Sequence, residues 1–172
     1  MTLGRTQYDW LSRTLESTKA KYRFVFIHHL VGGLDSQCRG GSEAAPLYEW
    51  GGRNADGSDG FKQNRPGWPM PIHALLLTNH VNIVFHGHDH FYAKQDLDGL
   101  VYQEVPQPGN EGGGRVPRNA ADYGYKSGTI LGGSGYLGLA VTPQQAKVDF
   151  CRPDGTIAHS YFVVPVLPMR KP

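Results

Sequence analysis

The tetrapeptide Gly87-His88-Asp89-His90 is the segment of this sequence whose residue types point most clearly to a functional site. It follows an apolar run at 81–85 that is typical of a buried strand, and a second apolar run at 24–27 ends in His28 and His29. Neutral imidazole is the commonest metal-binding side chain. Because seven of the eight histidines lie between positions 28 and 90, the sequence predicts a transition-metal site in this stretch.

The predicted metal ligands are His28, His88 and His90. In an extended segment, residues two apart point the same way, so His88 and His90 could chelate one divalent ion or each serve one ion of a pair. Asp89 would point away and could fix an imidazole by hydrogen bonding. Three imidazoles with a bound water are a workable hydrolytic zinc site.

Two further histidines are assigned catalytic roles beside the metal. His29 follows a predicted ligand, and its alternative role is that of an interior residue that supports the ligands. His86 directly precedes Gly87, and it could support a ligand or simply be a strand residue with a satisfied hydrogen bond. His73 and His80 flank a predicted helix, where a solvated helix face explains both.

Three residues are predicted to bind the substrate. Arg39 and Arg65 could meet an anionic substrate above the site, although a solvated loop is the alternative for each. Tyr92, just past the tetrapeptide, could stack on the substrate or pack in the interior.

The surrounding pattern predicts how these histidines are positioned. We expect a helix over 6–20 with a capping box that starts at Thr6, and a strand over 22–27 with the continuous apolar character of a parallel sheet. A long loop over 30–69, ordered by its scattered aromatic residues, leads to a helix over 71–79 and a strand over 81–85. This β-α-β unit would place both histidine groups at the carboxyl edge of the sheet, where open α/β sheets bind ligands.

The second half of the sequence has a different character. Glycine-rich turns separate short apolar runs, which predicts an antiparallel meander. The expected strands are 99–105, 129–131, 136–142, 146–151 and 157–164, with a glycine-rich loop over 107–126. The fold class is therefore α/β (α+β).

Composition limits the possible functions. The 172 residues fit a single domain spanning 1–172, and 39% hydrophobic with 19% charged residues fits a folded protein. A net charge of +2 gives no strong nucleic-acid signal, and no apolar stretch is long enough to span a bilayer. Cys38 and Cys151 could be two thiols or one disulfide, and without an apolar signal-peptide core at the start of the chain, localisation stays open.

These residues resemble the calcineurin-like metallophosphoesterases, the superfamily that includes the purple acid phosphatases. The resemblance rests on Gln7, Trp10 and Leu11 before a strand, on the strand that ends in His28-His29, and on the apolar run into Gly87-His88-Asp89-His90. It implies a partial β-sandwich with flanking helices, and one or two Zn, Mn or Fe ions that activate a water to hydrolyse a phosphoester. His28 and His88 would then bind one ion and His90 the other. Relatives of this family are often exported.

The resemblance covers the C-terminal half of such a domain. The family's Asp-x-His, Gly-Asp and Gly-Asn-His-Asp/Glu segments do not occur before His28. We therefore expect either a homo-oligomer or a complementing N-terminal polypeptide. The alternatives to a phosphoester hydrolase are a non-catalytic metal-binding remnant and an interaction module whose histidines are incidental.

Overall fold

The computed structural model describes residues 3–30, 39–109 and 120–165. Within these ranges, eight strands form a mixed five-stranded sheet, in the order β1-β2-β4-β3-β5, and a three-stranded antiparallel sheet, in the order β6-β7-β8. The strands of the first sheet are β1 (Phe24–Ile27), β2 (Ile83–His86), β3 (Tyr92–Leu97), β4 (Leu100–Glu104) and β5 (Thr129–Leu131). Those of the second are β6 (Tyr136–Val141), β7 (Ala146–Cys151) and β8 (Ile157–Val163). The predicted mixed fold class is confirmed.

The predicted β-α-β unit is present. β1 and β2 pair in parallel with Ile27 opposite His86, and helix α5 (Ile72–Thr78) lies between them in the chain. β4 pairs in parallel on the other side of β2, with Glu104 opposite His86. The carboxyl ends of three parallel strands therefore meet at one edge of the sheet.

The helices differ from the predicted ones in two respects. α1 spans Gly4–Ser17, so the cap predicted at Thr6 is wrong, and the backbone N–H of Leu3 instead donates to Glu49 Oε1 at 2.6 Å. The predicted loop over 30–69 contains three one-turn helices, α2 (Gly41–Ala44), α3 (Tyr48–Gly51) and α4 (Phe61–Asn64). The aromatic residues order this segment as predicted, because Trp50 and Phe61 are buried. Residues 31–38 lie outside the described part of the chain.

β3 was not predicted, yet the sequence contained its signal. Asp98 and Gly99, with φ values of 54° and 85°, form the tight turn between β3 and β4. An Asp-Gly pair between two strands is a strong indication of a two-residue hairpin. The antiparallel pairing of β3 with β4 follows from this turn, and β5 pairs with the other side of β3, also antiparallel.

Two apolar layers cover the faces of the five-stranded sheet. On one face, Val84 and Tyr102 pack with residues of α1, α3 and α5. On the other, Ile83, Phe85 and Val101 pack against Val148 and Tyr161 of the second sheet. Alternate residues of β2 thus point to opposite faces of the sheet. The end of β2 therefore lies between the helices and the three-stranded sheet. No helix among the described residues has the length and apolar character needed to cross a bilayer.

Candidate functional site

The site lies at the edge where β1, β2 and β4 end. His28 follows the last residue of β1, and Gly87 to His90 follow β2. The backbone N–H of Gly87 donates to the carbonyl oxygen of His28 at 3.0 Å, which joins the two segments directly beyond the strands. This is the edge that the sequence predicts for the histidines.

His28 and His88 are brought together. His28 Nε2 lies 3.3 Å from His88 Nδ1, and the two rings are perpendicular with their centroids 5.3 Å apart. Two nitrogens bound to one tetrahedral ion at about 2.0–2.1 Å would be separated by about 3.3 Å. The spacing therefore fits two ligands of one ion, and it also fits one proton shared between two imidazoles.

A third ligand is not in place among the described residues. Across residues 3–30, 39–109 and 120–165, no group of three or more His, Cys, Asp or Glu side chains is arranged to hold a metal ion. His90 is exposed to solvent, and its membership of a common site stays a prediction. The described residues therefore meet part of the requirement for a divalent ion, because two imidazoles have the spacing of metal ligands and a third ligand is not in place.

The histidine loop has an unusual backbone. His88 and His90 have φ values of 121° and 65°, so the segment is not extended, and the argument that placed both side chains on one side is wrong. Non-glycine residues in sparsely populated regions cost about 1–3 kcal/mol each and cluster at functional sites. The surrounding structure must therefore hold this loop in place.

Asp89 contributes to holding the loop through two neighbours. Its carboxylate forms an ion pair with Arg39 at 2.9 Å and accepts a hydrogen bond from the Tyr125 hydroxyl at 3.1 Å. The Arg39 guanidinium also lies over the Tyr123 ring, 4.0 Å from its centroid. The prediction that Asp89 orients an imidazole is therefore replaced by a role in anchoring the loop, and Arg39, predicted to bind substrate, has its guanidinium on Asp89.

His29 and His86 are both interior residues. Burial, together with the nearby His88, lowers the pKa of His29, whose ring centroid is 4.6 Å from that of His88. His86 Nδ1 lies 2.7 Å from Glu104 Oε2. Within the described part of the chain, His29 Nδ1 and His86 Nε2 are buried without a hydrogen-bond partner. Their catalytic roles stay predictions, and each offers a buried nitrogen that a ligand could satisfy.

Glu104 is the residue that the sequence analysis missed. Its side chain is 0% exposed, and Oε1 accepts the backbone N–H of Asp89 at 2.9 Å while Oε2 contacts His86. A buried carboxylate at the end of a parallel strand is the same signal that singled out the histidines. The strand predicted over 99–105 contains Glu104, but the sequence does not show that this strand is parallel to β2 or that its acid is buried.

The other predicted substrate residues have different surroundings. Arg65 contacts Glu49 Oε2 through Nε at 2.9 Å and through Nη2 at 2.8 Å, so an anionic substrate would have to compete with a buried carboxylate. Tyr92 is 0% exposed and stacks on Phe150, with ring centroids 4.7 Å apart. This placement agrees with packing in the interior, the alternative that the sequence left open for Tyr92. Cys38 lies outside the described residues, so the question of a pair with Cys151 stays open.

Among known proteins, similarity to this chain is found at the level of the fold. No family model matches the chain, and no curated protein matches it significantly. It is similar to the purple acid phosphatase PPD1 from yellow lupin (Lupinus luteus) seeds, with a TM-score of 0.53 and 15% identity over 94% of this chain and 28% of that one.

Two weaker similarities involve smaller parts of the chain. One is to a predicted phosphoesterase from Streptococcus pneumoniae, with a TM-score of 0.33 and 17% identity over 55% of this chain and 46% of that one. The other is to Vps29 of Entamoeba histolytica, solved with zinc, with a TM-score of 0.30 and 15% identity over 57% of this chain and 47% of that one.

The similarity to the lupin phosphatase confirms the resemblance at the level of the fold. The chain has a fold similar to part of that purple acid phosphatase, and it spans 28% of the length of the lupin enzyme.

Proposed function

We propose that this chain provides part of the active site of a metal-dependent phosphoester hydrolase. His28 and His88 bind one divalent ion, and the remaining ligands come from His90 or from a second polypeptide. The observation that carries this proposal is the 3.3 Å separation of His28 Nε2 and His88 Nδ1 at the carboxyl edge of a phosphatase-like sheet.

The chemistry follows from this position. A bound divalent ion polarises a phosphoryl oxygen and lowers the pKa of a water molecule to generate a nucleophile. His28 is exposed and His88 is half-buried, whereas His29 is buried. The lowered pKa of His29 favours its neutral form, which avoids adding positive charge beside an ion.

A second candidate function is metal binding without turnover. The observation that favours it is the lack of a three-residue ligand group among the described residues. Catalytic zinc sites use three protein ligands and keep a position for water. A two-imidazole site that is not completed by further ligands would bind the ion weakly and hydrolyse little.

The test combines metal binding with hydrolysis. The purified chain is titrated with Zn²⁺ and with Mn²⁺, and is assayed with p-nitrophenyl phosphate and bis(p-nitrophenyl) phosphate with and without each ion. The hydrolase proposal predicts metal-dependent release of nitrophenol. Binding without turnover would support the second candidate, and no binding would contradict a metal site that this chain forms by itself.

Matched variants locate the site. His28→Asn and His88→Asn should each weaken Zn²⁺ binding by at least about 10–100-fold, the loss seen for residues that only support a ligand. Asparagine removes the imidazole while it keeps a polar side chain at each position. His80→Asn is the control, since His80 is exposed, has a φ of 52° and lies beside the start of β2 at the opposite end of the strand. Equal binding by all three variants would contradict the assignment.

A further inference from the structure

We infer that Glu104 is a positioning residue, which holds the loop of His88 and the ring of His86 in place. The effect of Glu104 on metal affinity rests on the proposed function. Glu104 ends β4 directly opposite His86 in the parallel β2–β4 pair. Both residues share the face of the sheet to which Val84 and Tyr102 belong, so the two side chains lie next to each other. Among the described residues, this fully buried carboxylate contacts the backbone N–H of Asp89 and the ring of His86.

The first consequence is the conformation of the loop. Glu104 Oε1 accepts the backbone N–H of Asp89, the residue between His88 and His90. Because both flanking histidines have positive φ, this bond fixes the strained turn to the core at its centre. The position of His88 relative to His28 therefore depends on Glu104.

The second consequence is the proton position on His86. Glu104 Oε2 lies 2.7 Å from His86 Nδ1 and has no hydrogen-bond partner among the described residues. Two lone pairs would repel at this distance, so a proton on Nδ1 suits the contact. Nε2 then carries a lone pair, and it is the buried nitrogen that has no partner in the described part of the chain. A carboxylate that fixes the tautomer of an imidazole in this way is a recurrent arrangement behind metal sites.

The variants separate these two consequences. Glu104→Gln keeps an oxygen for the Asp89 N–H but turns an amide NH₂ toward His86, which forces the imidazole proton to Nε2. Glu104→Asp restores a carboxylate with one methylene fewer. Glu43→Gln is the control, because Glu43 accepts hydrogen bonds from Lys126, Ser127 and Gln95 away from the loop. Circular dichroism establishes that each variant is folded.

The experiment has two readouts, one of which needs no metal. Histidine ¹⁵N NMR of the metal-free chain should show Nδ1–H on His86 in the parent protein, in Glu43→Gln and in Glu104→Asp, and Nε2–H in Glu104→Gln. A competition titration should show Zn²⁺ affinity about 10–100-fold lower in Glu104→Gln and unchanged in Glu43→Gln.

The outcomes distinguish this inference from the proposed function. An Nδ1–H signal that persists in Glu104→Gln, or unchanged affinity of that variant in a chain that binds Zn²⁺, overturns the role of Glu104. If the parent chain binds no Zn²⁺, the proposed function fails, and the change of tautomer in Glu104→Gln alone then decides whether Glu104 positions His86.

Discussion

His159 of β8 forms a polar contact with Tyr92 of β3, which belongs to the other sheet. Its Nδ1 lies 2.7 Å from the hydroxyl oxygen of Tyr92. Burial raises the pKa of Tyr92, so the hydroxyl stays neutral and can donate to the imidazole. Burial and, to a smaller extent, the charge of Lys94 lower the pKa of His159. The neutral imidazole is therefore the form that the folded chain favours.

This pKa shift predicts the sign of a pH effect on stability. The folded-state pKa of His159 lies below the unfolded value of about 6.5, so the unfolded chain binds more protons as the pH falls through 6.5. We expect the melting temperature to fall between pH 7.5 and pH 5.5 more steeply in the parent chain than in His159→Gln. Lys94→Gln should give an intermediate slope. Identical slopes in the parent chain and His159→Gln would contradict this assignment.

At the site itself, the sequence predicts which histidines meet but not the directions of their side chains. The ends of two strands are enough to predict that His28 and His88 meet, because parallel strands deliver their carboxyl ends to one edge. The direction of each side chain depends on local backbone angles, and those of His88 and His90 are not in the extended region. Long-range partners such as Glu104 for His86 depend on strand register, which a single sequence does not specify without the order of the strands.

Helix α2 lies very close to Gln95 of β3. The backbone N–H of Ser42 donates to Gln95 Oε1 at 3.0 Å, and Gln95 Nε2 donates to Glu43 Oε2 at 2.7 Å. Gly41 has a φ of 75°, and a Cβ there would overlap Gln95 Oε1 and lie 2.9 Å from the Tyr125 ring. Only glycine fits between this helix and the buried amide.

A pair of glycine substitutions tests this contact. Gly41→Ala should lower the free energy of unfolding by about 2–4 kcal/mol, since it adds overlap with buried groups to the cost of a positive φ. Gly57→Ala is the matched control, with a φ of 85° and no atom within 4 Å of the added Cβ, and it should cost about 1–2 kcal/mol. Chemical denaturation measures both. Equal losses of unfolding free energy in the two variants would show that α2 can move away from Gln95 without destabilising the fold.

The elements that were predicted correctly are those with a strong apolar pattern. β5 and β7 have the predicted bounds, and the two strands of the β-α-β unit are parallel as expected. The one-turn helices α2 to α4 were not predicted because four residues are too few for helical periodicity. Their positions depend instead on tertiary contacts, such as the hydrogen bond from Trp50 Nε1 to the Tyr102 hydroxyl at 2.7 Å.

The molecule as a whole exposes apolar side chains near an unpaired sheet edge. Phe26 of β1 is 73% exposed, and among the described residues no strand pairs with β1 on the side away from β2. Phe162 and Val164, at the end of the second sheet, are 54% and 70% exposed. An open edge beside exposed apolar residues favours association. We therefore propose that a second copy of the chain pairs with β1 across a two-fold axis.

Sedimentation velocity over a range of concentrations tests this proposal. The parent chain should have a weight-average mass above that of the monomer, and this mass should rise with concentration. Phe26→Lys should sediment as a monomer, because it places a charge in the apolar contact at the β1 edge. Trp10→Lys is the control, since Trp10 is 57% exposed but lies on α1, and it should associate like the parent chain. A parent chain that is monomeric at every concentration would contradict self-association and leave a complementing polypeptide as the partner that covers β1.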